Sequence, residues 1–304
     1  MTITFFGTAE FAVPVLKSLH ENHELVAVVT VPDQPVGRKK TPTAPPVKEA
    51  AQRLGVPVHQ PASLKEFIET FKLLNPDLAV VAAYGKLIPE ELLSIPKHGF
   101  LCVHPSLLPK YRGPSPIQAA IQSGEEETGV TIMLLDKEMD HGPILSTATY
   151  VLRPDVYLKE AETEIWQLGA TFLMDTIPAY ISGDLKPVEQ DHGKATYTKL
   201  LDRKDGHIDW SRSCEEIYNQ IRALNLNPGT WTTWREKVLN IKSVEPTKGP
   251  STKPGLVSVV DNEIVVGTGT CNLVLKTVQL EGKAETDARS FITGYREFVN
   301  STLE

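Results

Sequence analysis

Short apolar runs alternate with amphipathic segments along about the first 185 residues of the chain. Runs apolar at consecutive positions predict strands that are buried on both faces. The predicted strands are residues 2–7, 24–30, 77–83, 100–103 and 130–135. Apolar residues at three- and four-residue spacing predict helices at residues 11–20, 47–54, 117–122 and 159–180, the last ending at Gly183. This alternation is typical of an α/β fold with a Rossmann-like, mostly parallel sheet.

The pattern changes in the last third of the chain. A helix is predicted at residues 214–224, with Ser213 as its N-cap. Short strands separated by Gly, Pro and Asn turns follow it, in the stretches WTTW, VLNIKSV, GLVSVV, EIVVGTG and NLVLKTVQL. This spacing predicts a smaller C-terminal OB-like β-barrel. We therefore expect an α/β domain at residues 1–189, a linker at residues 190–207 and the OB-like domain at residues 208–304.

Composition and charge narrow the class of protein. A chain of 304 residues suits two domains. The net charge of −7 argues against a protein that binds nucleic acid over its whole surface, although it is compatible with a local basic patch. No apolar run is long enough for a membrane helix and the N-terminus does not resemble a signal peptide, so we expect no contact with a membrane. Nothing predicts a coiled coil, so we expect a monomer.

The three cysteines, Cys102, Cys214 and Cys271, are far apart along the chain. Their spacing predicts neither a disulfide framework nor a metal site. A reducing, cytoplasmic location is the simplest interpretation.

Candidate catalytic residues lie where predicted strands end, because ligands bind at the carboxyl ends of strands in open α/β sheets. His104 follows one strand and Asp140 follows another. A carboxylate beside an imidazole orients the ring and makes it a proton shuttle. Asp136 and His141 are equally available for such a pair. Because a lone histidine at a strand end is more often structural, residue types alone leave this choice open.

A resemblance adds to this interpretation. The stretches VHPSLLPKYRGPSPIQAAI and GEEETGVTIMLLDKEMDHGPIL resemble the signature of the 10-formyltetrahydrofolate-dependent formyltransferases. FFGTAEFAVPVL, the GRKK block, IRALNLNPGTWT and LEGKAETDARSFITGY are similar to the members of that family that act on methionyl-tRNA. The matches run from Phe5 to about Tyr295. They imply a formyltransferase fold, 10-formyltetrahydrofolate as formyl donor, initiator methionyl-tRNA as acceptor, and no metal.

The resemblance also implies roles for individual residues. His104 and Asp140 match the pair that moves protons during formyl transfer. Backbone polar groups are expected to recognise the pterin ring of the folate. The segments that match the folate pocket comprise Ser106, Leu107, Leu108, Pro109, Tyr84, Lys86, Leu87, Ile88, Leu135, Asp136 and Met139.

Cys102 is the one serious departure from the family pattern, which has an asparagine at this position. An amide is a strong donor that can hold the oxygen of a tetrahedral intermediate, whereas a thiol is a weak one. Loss of one such donor typically costs on the order of 10² to 10³ in rate. Three interpretations stay open: slow catalysis, replacement of the amide by another group or a water, and a thiolate nucleophile activated beside His104.

The basic block Gly37–Lys40 follows the carboxyl end of a strand. Such a run is usually solvated surface. The resemblance instead implies that it contacts phosphates of the tRNA acceptor stem, which position the RNA without specifying its sequence. The residues concerned are Arg38, Lys39 and Lys40.

Two further groups of residues have both a structural and a functional interpretation. Lys110 and Arg112 either extend the rim of the site or cap the turn. Trp210, Trp231 and Trp234 either stack on nucleic acid bases or fill the core of the barrel, and the core is favoured because small barrels need large apolar side chains.

The sequence is also compatible with other functions on the same fold. One is a nucleotide-sugar N-formyltransferase or a formyl-folate hydrolase. Such enzymes would not need the GRKK block or the RALNLNPG stretch. Another is a folate- or tRNA-binding protein whose chemistry was lost with the asparagine. Retention of both His104 and Asp140 argues against that alternative.

Overall fold

The computed structural model of the protein describes residues 1–36 and 41–304. They divide into two compact units, each described by itself below. Unit 1 comprises residues Met1–Pro116, Glu127–Val151 and Glu162–Thr198, and unit 2 comprises Ile117–Glu126, Leu152–Ala161 and Lys199–Glu304. The predicted tRNA contacts Arg38, Lys39 and Lys40 lie outside the described residues. Within the described ranges, no helix is both long enough and apolar enough to cross a membrane.

Unit 1 is built on a seven-stranded sheet with a separate two-stranded ribbon. In chain order the strands are β1 (Thr2–Gly7), β2 (Glu24–Val29), β3 (Gln34–Val36), β4 (Thr41–Thr43), β5 (Val58–His59), β6 (Leu78–Ala82), β7 (Phe100–His104), β8 (Glu127–Leu134) and β9 (Ile144–Val151). The order across the large sheet is β5-β2-β1-β6-β7-β8-β9. Every predicted strand of this half is present, and its consecutive apolar residues are buried, as a sheet covered on both faces requires.

The direction of the strands changes at β8. Strands β5, β2, β1, β6 and β7 are parallel to one another, whereas β8 is antiparallel to both β7 and β9. The sequence did not predict β9, in which buried and partly exposed residues alternate. The mostly parallel Rossmann-like class is confirmed, with an antiparallel pair at one edge.

The helices of this part of the chain are α1 (Val13–Asn22), α2 (Pro46–Arg53), α3 (Ile68–Leu74), α4 (Glu90–Leu93), α5 (Pro116–Gln122) and α6 (Leu158–Ser182). The sequence predicted α1, α2, α5 and α6 close to these bounds, but it did not predict α3 or α4. Gly183 has a φ of +84°, which a glycine adopts without strain, so it ends α6 as the sequence predicts.

The C-terminal segment of unit 2, Lys199–Glu304, contains α7 (Cys214–Leu224) and then a curled antiparallel sheet. Its strands are β10 (Trp231–Trp234), β11 (Lys237–Pro246), β12 (Val257–Val260), β13 (Glu263–Gly267), β14 (Asn272–Leu280) and β15 (Thr286–Asp287), and β15 is followed by α8 (Ala288–Gly294). Ser213 caps α7, because its hydroxyl accepts the backbone N–H of Glu216, whose carboxylate accepts the backbone N–H of Ser213 in return. The β-rich OB-like class is confirmed.

The last residues of the chain join the two edges of this sheet. The N–H of Val257, on edge strand β12, donates to the carbonyl of Ser301. Glu304 exchanges two backbone hydrogen bonds with Thr233 on the opposite edge strand, β10. Leu303, between these contacts, is buried in the core of the unit. The terminal segment therefore covers edges that would otherwise expose unpaired backbone groups.

The tryptophans of unit 2 divide between core and surface. Trp210 and Trp234 are buried in the core, as predicted. Trp231 is only partly buried, and its indole N–H donates to the carbonyl of Arg203, whose guanidinium lies 5.2 Å from the ring.

Cys214 and Cys271 form a disulfide across 57 residues of chain. The prediction of no disulfide among the three cysteines is therefore wrong for this pair. The bond joins the start of α7 to the residue before β14, two positions that become neighbours only when the helix packs on the sheet. Sequence spacing carries no sign of that proximity.

Candidate active site

Strand β7 presents Cys102 and His104 on the same face of the sheet. Side chains two residues apart in a strand point to the same side, so the spacing alone places them together. Both are buried, with 9% of Cys102 and 4% of His104 exposed. Cys102 belongs to a buried apolar cluster with Leu108 and Met133.

Two groups hold the His104 ring. Nε2 lies 3.0 Å from the backbone carbonyl of Tyr111. Because a carbonyl only accepts, Nε2 carries the hydrogen and donates it. The neutral ring therefore keeps its lone pair on Nδ1, which lies 3.6 Å from Oδ1 of Asp140. Nδ1 of His104 and Oδ1 of Asp140 can each accept a proton, and the two atoms face each other, which suits a proton-transfer site.

The loop after β7 is fixed by its own hydrogen bonds. The Ser106 hydroxyl is fully buried and donates to the carbonyl of Lys110. Thr131 of β8 donates to the carbonyl of Ser106 and accepts the N–H of Leu108. Ser106 therefore shapes the loop through contacts within the protein, and the loop in turn places the Tyr111 carbonyl against His104.

Asp140 reaches His104 by a route that the sequence did not predict. In β8, Leu134 pairs with Leu101, so β8 ends roughly 10 Å short of His104 along β7. The expectation that both residues lie at the carboxyl ends of parallel strands is therefore wrong for Asp140. The connection from β8 to β9 instead folds back over the sheet.

Two backbone features allow this connection to fold back. Asp140 has a φ of +51°, in the left-handed region that residues with a side chain seldom adopt. At Gly142 a Cβ atom would lie 2.0 Å from the carbonyl oxygen of Leu134, so only glycine fits against β8. The Asp-x-Gly spacing in the sequence thus has a steric reason.

The carboxylate and the backbone of Asp140 are both held. Oδ2 accepts the backbone N–H of Gly113 at 2.6 Å, leaving Oδ1 toward His104. The side-chain amide of Gln190 donates to the carbonyls of Asp140 and Gly142, at 3.0 and 2.7 Å. The carboxylate is thus oriented by contacts from two distant segments of unit 1.

The environment of Cys102 argues against a thiolate. Burial raises the pKa of the thiol well above its ordinary value, and the negative charge of Asp140 raises it further. A reactive cysteine needs the opposite shift in pKa, from a nearby cation or a helix N-terminus. The thiol therefore stays protonated, and the nucleophile interpretation has no support here.

The predicted folate-pocket residues occupy different environments. Tyr84 packs its ring edge-on against Phe6 in the core, and burial raises its pKa to about 12, so its side chain does not face the site. Leu87 and Met139, in the loops after β6 and β8, are 71% and 50% exposed. Ile88 and Leu135 are partly buried and Lys86 is exposed. Leu107 and Pro109 are partly buried in the loop after β7.

Asp136 and His141, the alternative pair, also contact each other, with Nδ1 of His141 2.6 Å from Oδ2 of Asp136. The His141 ring stacks on that of His192, with centroids 4.0 Å apart. The structure thus forms both pairs, and His104–Asp140 is the more buried one. Asp136 is engaged with its own loop rather than directed at His104.

Several groups at the site were not predicted from the sequence. They are the N–H of Gly113, the carbonyl of Tyr111, the hydroxyl of Thr131 and the side chain of Gln190. Backbone groups carry no sequence signal, and Gln190 lies 50 residues from Asp140 in a polar stretch without periodicity. Arg112 is 1% exposed, so the suggestion that it extends the rim is wrong.

Two family models match the chain. The model described as formyl transferase matches residues 1–177, and the one described as formyl transferase, C-terminal domain, matches residues 200–296. Curated relatives match along almost the whole length. The methionyl-tRNA formyltransferase of Roseiflexus castenholzii is 43% identical over 97% of this chain and 96% of its own. That of Clostridium novyi is 40% identical over the full length of both.

Solved structures of other proteins share the fold at low identity. HypX from Aquifex aeolicus in complex with tetrahydrofolic acid aligns with a TM-score of 0.68 at 18% identity, over 98% of this chain and 48% of HypX. This chain therefore spans about half the length of HypX. The N-formyltransferase from Helicobacter canadensis, complexed with folinic acid and dTDP-3-aminofucose, aligns with a TM-score of 0.69 at 19% identity, over 90% of this chain and 98% of its own.

Proposed function

This chain belongs to the formyl transferase family, and we propose that it transfers the formyl group of 10-formyltetrahydrofolate to the α-amine of methionyl-tRNA. The product is N-formylmethionyl-tRNA for translation initiation. The observation that carries the proposal is the buried His104–Asp140 pair, held in an orientation that suits proton transfer. Curated relatives with this function that match the chain over nearly its full length supply the acceptor.

The reaction moves protons as well as the formyl group. The amine nitrogen forms a bond to the formyl carbon, the bond from that carbon to the folate nitrogen breaks, and the folate nitrogen gains a proton as the amine loses one. In our proposal Nδ1 of His104 takes the amine proton, and the ionised Asp140 stabilises the charged ring. The Tyr111 carbonyl keeps the ring from turning, since it accepts the hydrogen of Nε2 in both protonation states.

The folate is expected to lie against the loops that follow β6, β7 and β8. Exposed Leu87 and Met139 offer apolar surface, and Leu108 packs beside Cys102. These features fit a planar pterin ring flanked by backbone polar groups. Cys102 offers only a weak donor to the oxygen of the tetrahedral intermediate, so we infer a slow enzyme.

We further infer two domains with separate tasks, whose bounds differ from those of the two compact units. Residues 1–189 form the catalytic domain, residues 208–304 form a tRNA-binding domain, and residues 190–207 link them, with Gln190 packed against the catalytic domain. The family models match ranges that fit this division. Arg38, Lys39 and Lys40 are proposed to contact acceptor-stem phosphates.

The acceptor also implies a location. Aminoacyl-tRNA is found in the cytoplasm, so we infer a cytoplasmic protein. Because nothing in the sequence predicts a coiled coil, we further propose that it is a monomer. Disulfides are rare in that compartment, so Cys214 and Cys271 are expected as a thiol pair in the cell and as a disulfide after air oxidation. Light scattering after gel filtration tests the monomer, and mass spectrometry after rapid alkylation of a lysate tests the thiols.

One assay decides the reaction. The purified chain is incubated with 10-formyltetrahydrofolate and initiator methionyl-tRNA, and mass spectrometry of the released aminoacyl-adenosine detects the formyl group. Parallel samples contain a dTDP-amino sugar or no acceptor. Formylation of the tRNA alone supports the proposal. Transfer to the sugar, or loss of the formyl group without acceptor at the same rate, would overturn it in favour of the other enzyme functions.

A further inference from the structure

Arg112 is a buried cation with unusual partners. Its side chain lies between two loops of unit 1 with 1% of its surface exposed. Nε and Nη2 donate to Oε1 of Gln190 at 3.2 and 2.7 Å, Nη2 also to Nδ1 of His192 at 2.9 Å, and Nη1 to the hydroxyl of Tyr197 at 3.3 Å. Among these partners in the described part of the chain there is no carboxylate. Burying a charge without a counter-ion typically costs several kcal/mol, so a purely space-filling role would favour an apolar side chain.

The guanidinium fixes the side-chain amide of Gln190. Gln190 is 5% exposed, and its Oε1 accepts two hydrogen bonds from Arg112. This sets which end of the amide faces Arg112. Nε2 must then point the other way, where it donates to the backbone carbonyls of Asp140 and Gly142. Both ends of the amide are therefore in use, and a carboxylate or an apolar side chain could not make both sets of contacts.

These contacts clamp the turn that carries the Asp140 carboxylate. The left-handed backbone of Asp140 is unfavourable for a residue with a side chain, so the turn needs outside contacts to persist. Gln190 supplies two at the backbone, and the N–H of Gly113, the residue after Arg112, supplies one at the carboxylate. One short segment, residues 111–113, thus touches His104, Gln190 and Asp140 together.

We propose that Arg112 and Gln190 are positioning residues that hold the Asp140 carboxylate against His104 during proton transfer. Neither touches His104, and Gln190 acts only through the backbone carbonyls of Asp140 and Gly142. The inference rests on the proposed function for its kinetic consequence. The structural part of the inference is that Gln190 keeps the Asp140 carboxylate hydrogen-bonded to Gly113 and facing His104. This part can be tested without any substrate.

Gln190→Glu is the informative variant. The new carboxylate can pair with Arg112, which offsets part of the stability lost with the two hydrogen bonds, because it has no hydrogen to give to the carbonyls of Asp140 and Gly142. We expect a folded protein with a somewhat lower Tm, a kcat at least about tenfold lower, and KM values for both substrates within about twofold. Tyr197→Phe, which removes another partner of Arg112 but leaves Gln190 in place, is the matched control and keeps kcat within about twofold.

A double-mutant cycle separates positioning from general damage. If Gln190 acts through Asp140, Gln190→Glu lowers kcat little further once Asp140 is asparagine. The inference would be overturned if the losses in kcat multiply in the double variant, or if a folded Gln190→Glu protein keeps the parent kcat. Should Gln190→Glu fail to fold, Gln190→Leu enters the same cycle.

Amide exchange supplies the readout that needs no substrate. The N–H of Gly113 donates to the Asp140 carboxylate, so its exchange reports directly on the position of that group. We expect exchange at least about tenfold faster in Gln190→Glu and unchanged in Tyr197→Phe. An unchanged Gly113 rate in Gln190→Glu contradicts the positioning role even if the protein proves to catalyse another reaction. Inactivity of the parent chain on methionyl-tRNA contradicts only the proposed function.

Discussion

Nδ1 of His104 faces Oδ1 of Asp140 across 3.6 Å, in a pocket that leaves little of either side chain exposed. Nε2 of the same ring is committed to the Tyr111 carbonyl. The ring therefore has one nitrogen fixed by the fold and one available for chemistry.

Removing either member of the pair should abolish most of the activity. We expect His104→Ala and Asp140→Asn each to lower kcat by roughly 10² to 10⁴, because proton transfer loses its acceptor or the charge that stabilises it. Initial rates of methionyl-tRNA formylation measure this, with exposed His20→Ala and Asp184→Asn as controls. A folded variant with more than a tenth of the parent rate would contradict the assignment.

Replacing Cys102 with asparagine should speed the reaction. An amide at this depth offers a stronger donor than a protonated thiol, so we expect kcat to rise on the order of 10- to 100-fold. The same change places a polar group among Leu108 and Met133 and should lower the free energy of unfolding by about 1 to 2 kcal/mol. Single-turnover kinetics and urea denaturation measure the two effects. Unchanged kinetics would mean that another group already holds the oxygen.

Neutralising the basic block should weaken tRNA binding. With Arg38, Lys39 and Lys40 all replaced by glutamine, we expect a higher Kd and a plot of log Kd against log salt that is flatter by about 2 to 3, because fewer counterions are released. Replacing exposed Lys17, Lys65 and Lys97 removes the same charge elsewhere on unit 1 and should leave the slope nearly unchanged. Equal slopes for both triple variants would count against the contact.

Glu162 on α6 should make stability depend on pH. Burial raises the pKa of its carboxyl from 4.5 to about 7, so the folded state binds more protons than the unfolded state between these values. Stability therefore falls as pH rises through this window.

Glu162→Gln should remove that loss. Relative to the parent, we expect it to gain about 1 to 2 kcal/mol between pH 4.5 and pH 8, a figure reduced for the partly exposed carboxyl. Chemical denaturation at the two pH values measures the change, with exposed Asp175→Asn on the same helix as control. A difference that does not vary with pH would contradict the shifted pKa.

Leu303 should contribute strongly to the stability of unit 2. Leu303→Ala leaves a cavity where the terminal segment crosses between the sheet edges, so we expect a loss of about 2 to 4 kcal/mol. Leu226→Ala, at a position 52% exposed, should cost less than about 0.5 kcal/mol. Tryptophan fluorescence during denaturation follows this unit, which contains three of the four tryptophans. Equal losses for the two variants would mean that the segment does not secure the sheet.

The sequence by itself determined most of the elements of the sheet and the strand end that carries His104. Consecutive apolar residues identified β1, β6 and β7, and the cap at Ser213 identified the start of α7, because such signals act within a few residues of chain. Two-residue spacing placed Cys102 beside His104 for the same local reason.

Only the tertiary structure decided how Asp140 meets His104. The reversal of β8 depends on pairing between strands, and the return of its connecting loop depends on a left-handed residue and on a close backbone approach at Gly142. The contacts of Gln190 with Arg112 and Asp140, and the bond between Cys214 and Cys271, join residues about 50 to 80 positions apart. Contacts of that range follow from packing, which no local pattern encodes, so the sequence could mark His104 and Asp140 as candidates but could not name the groups that hold them in place.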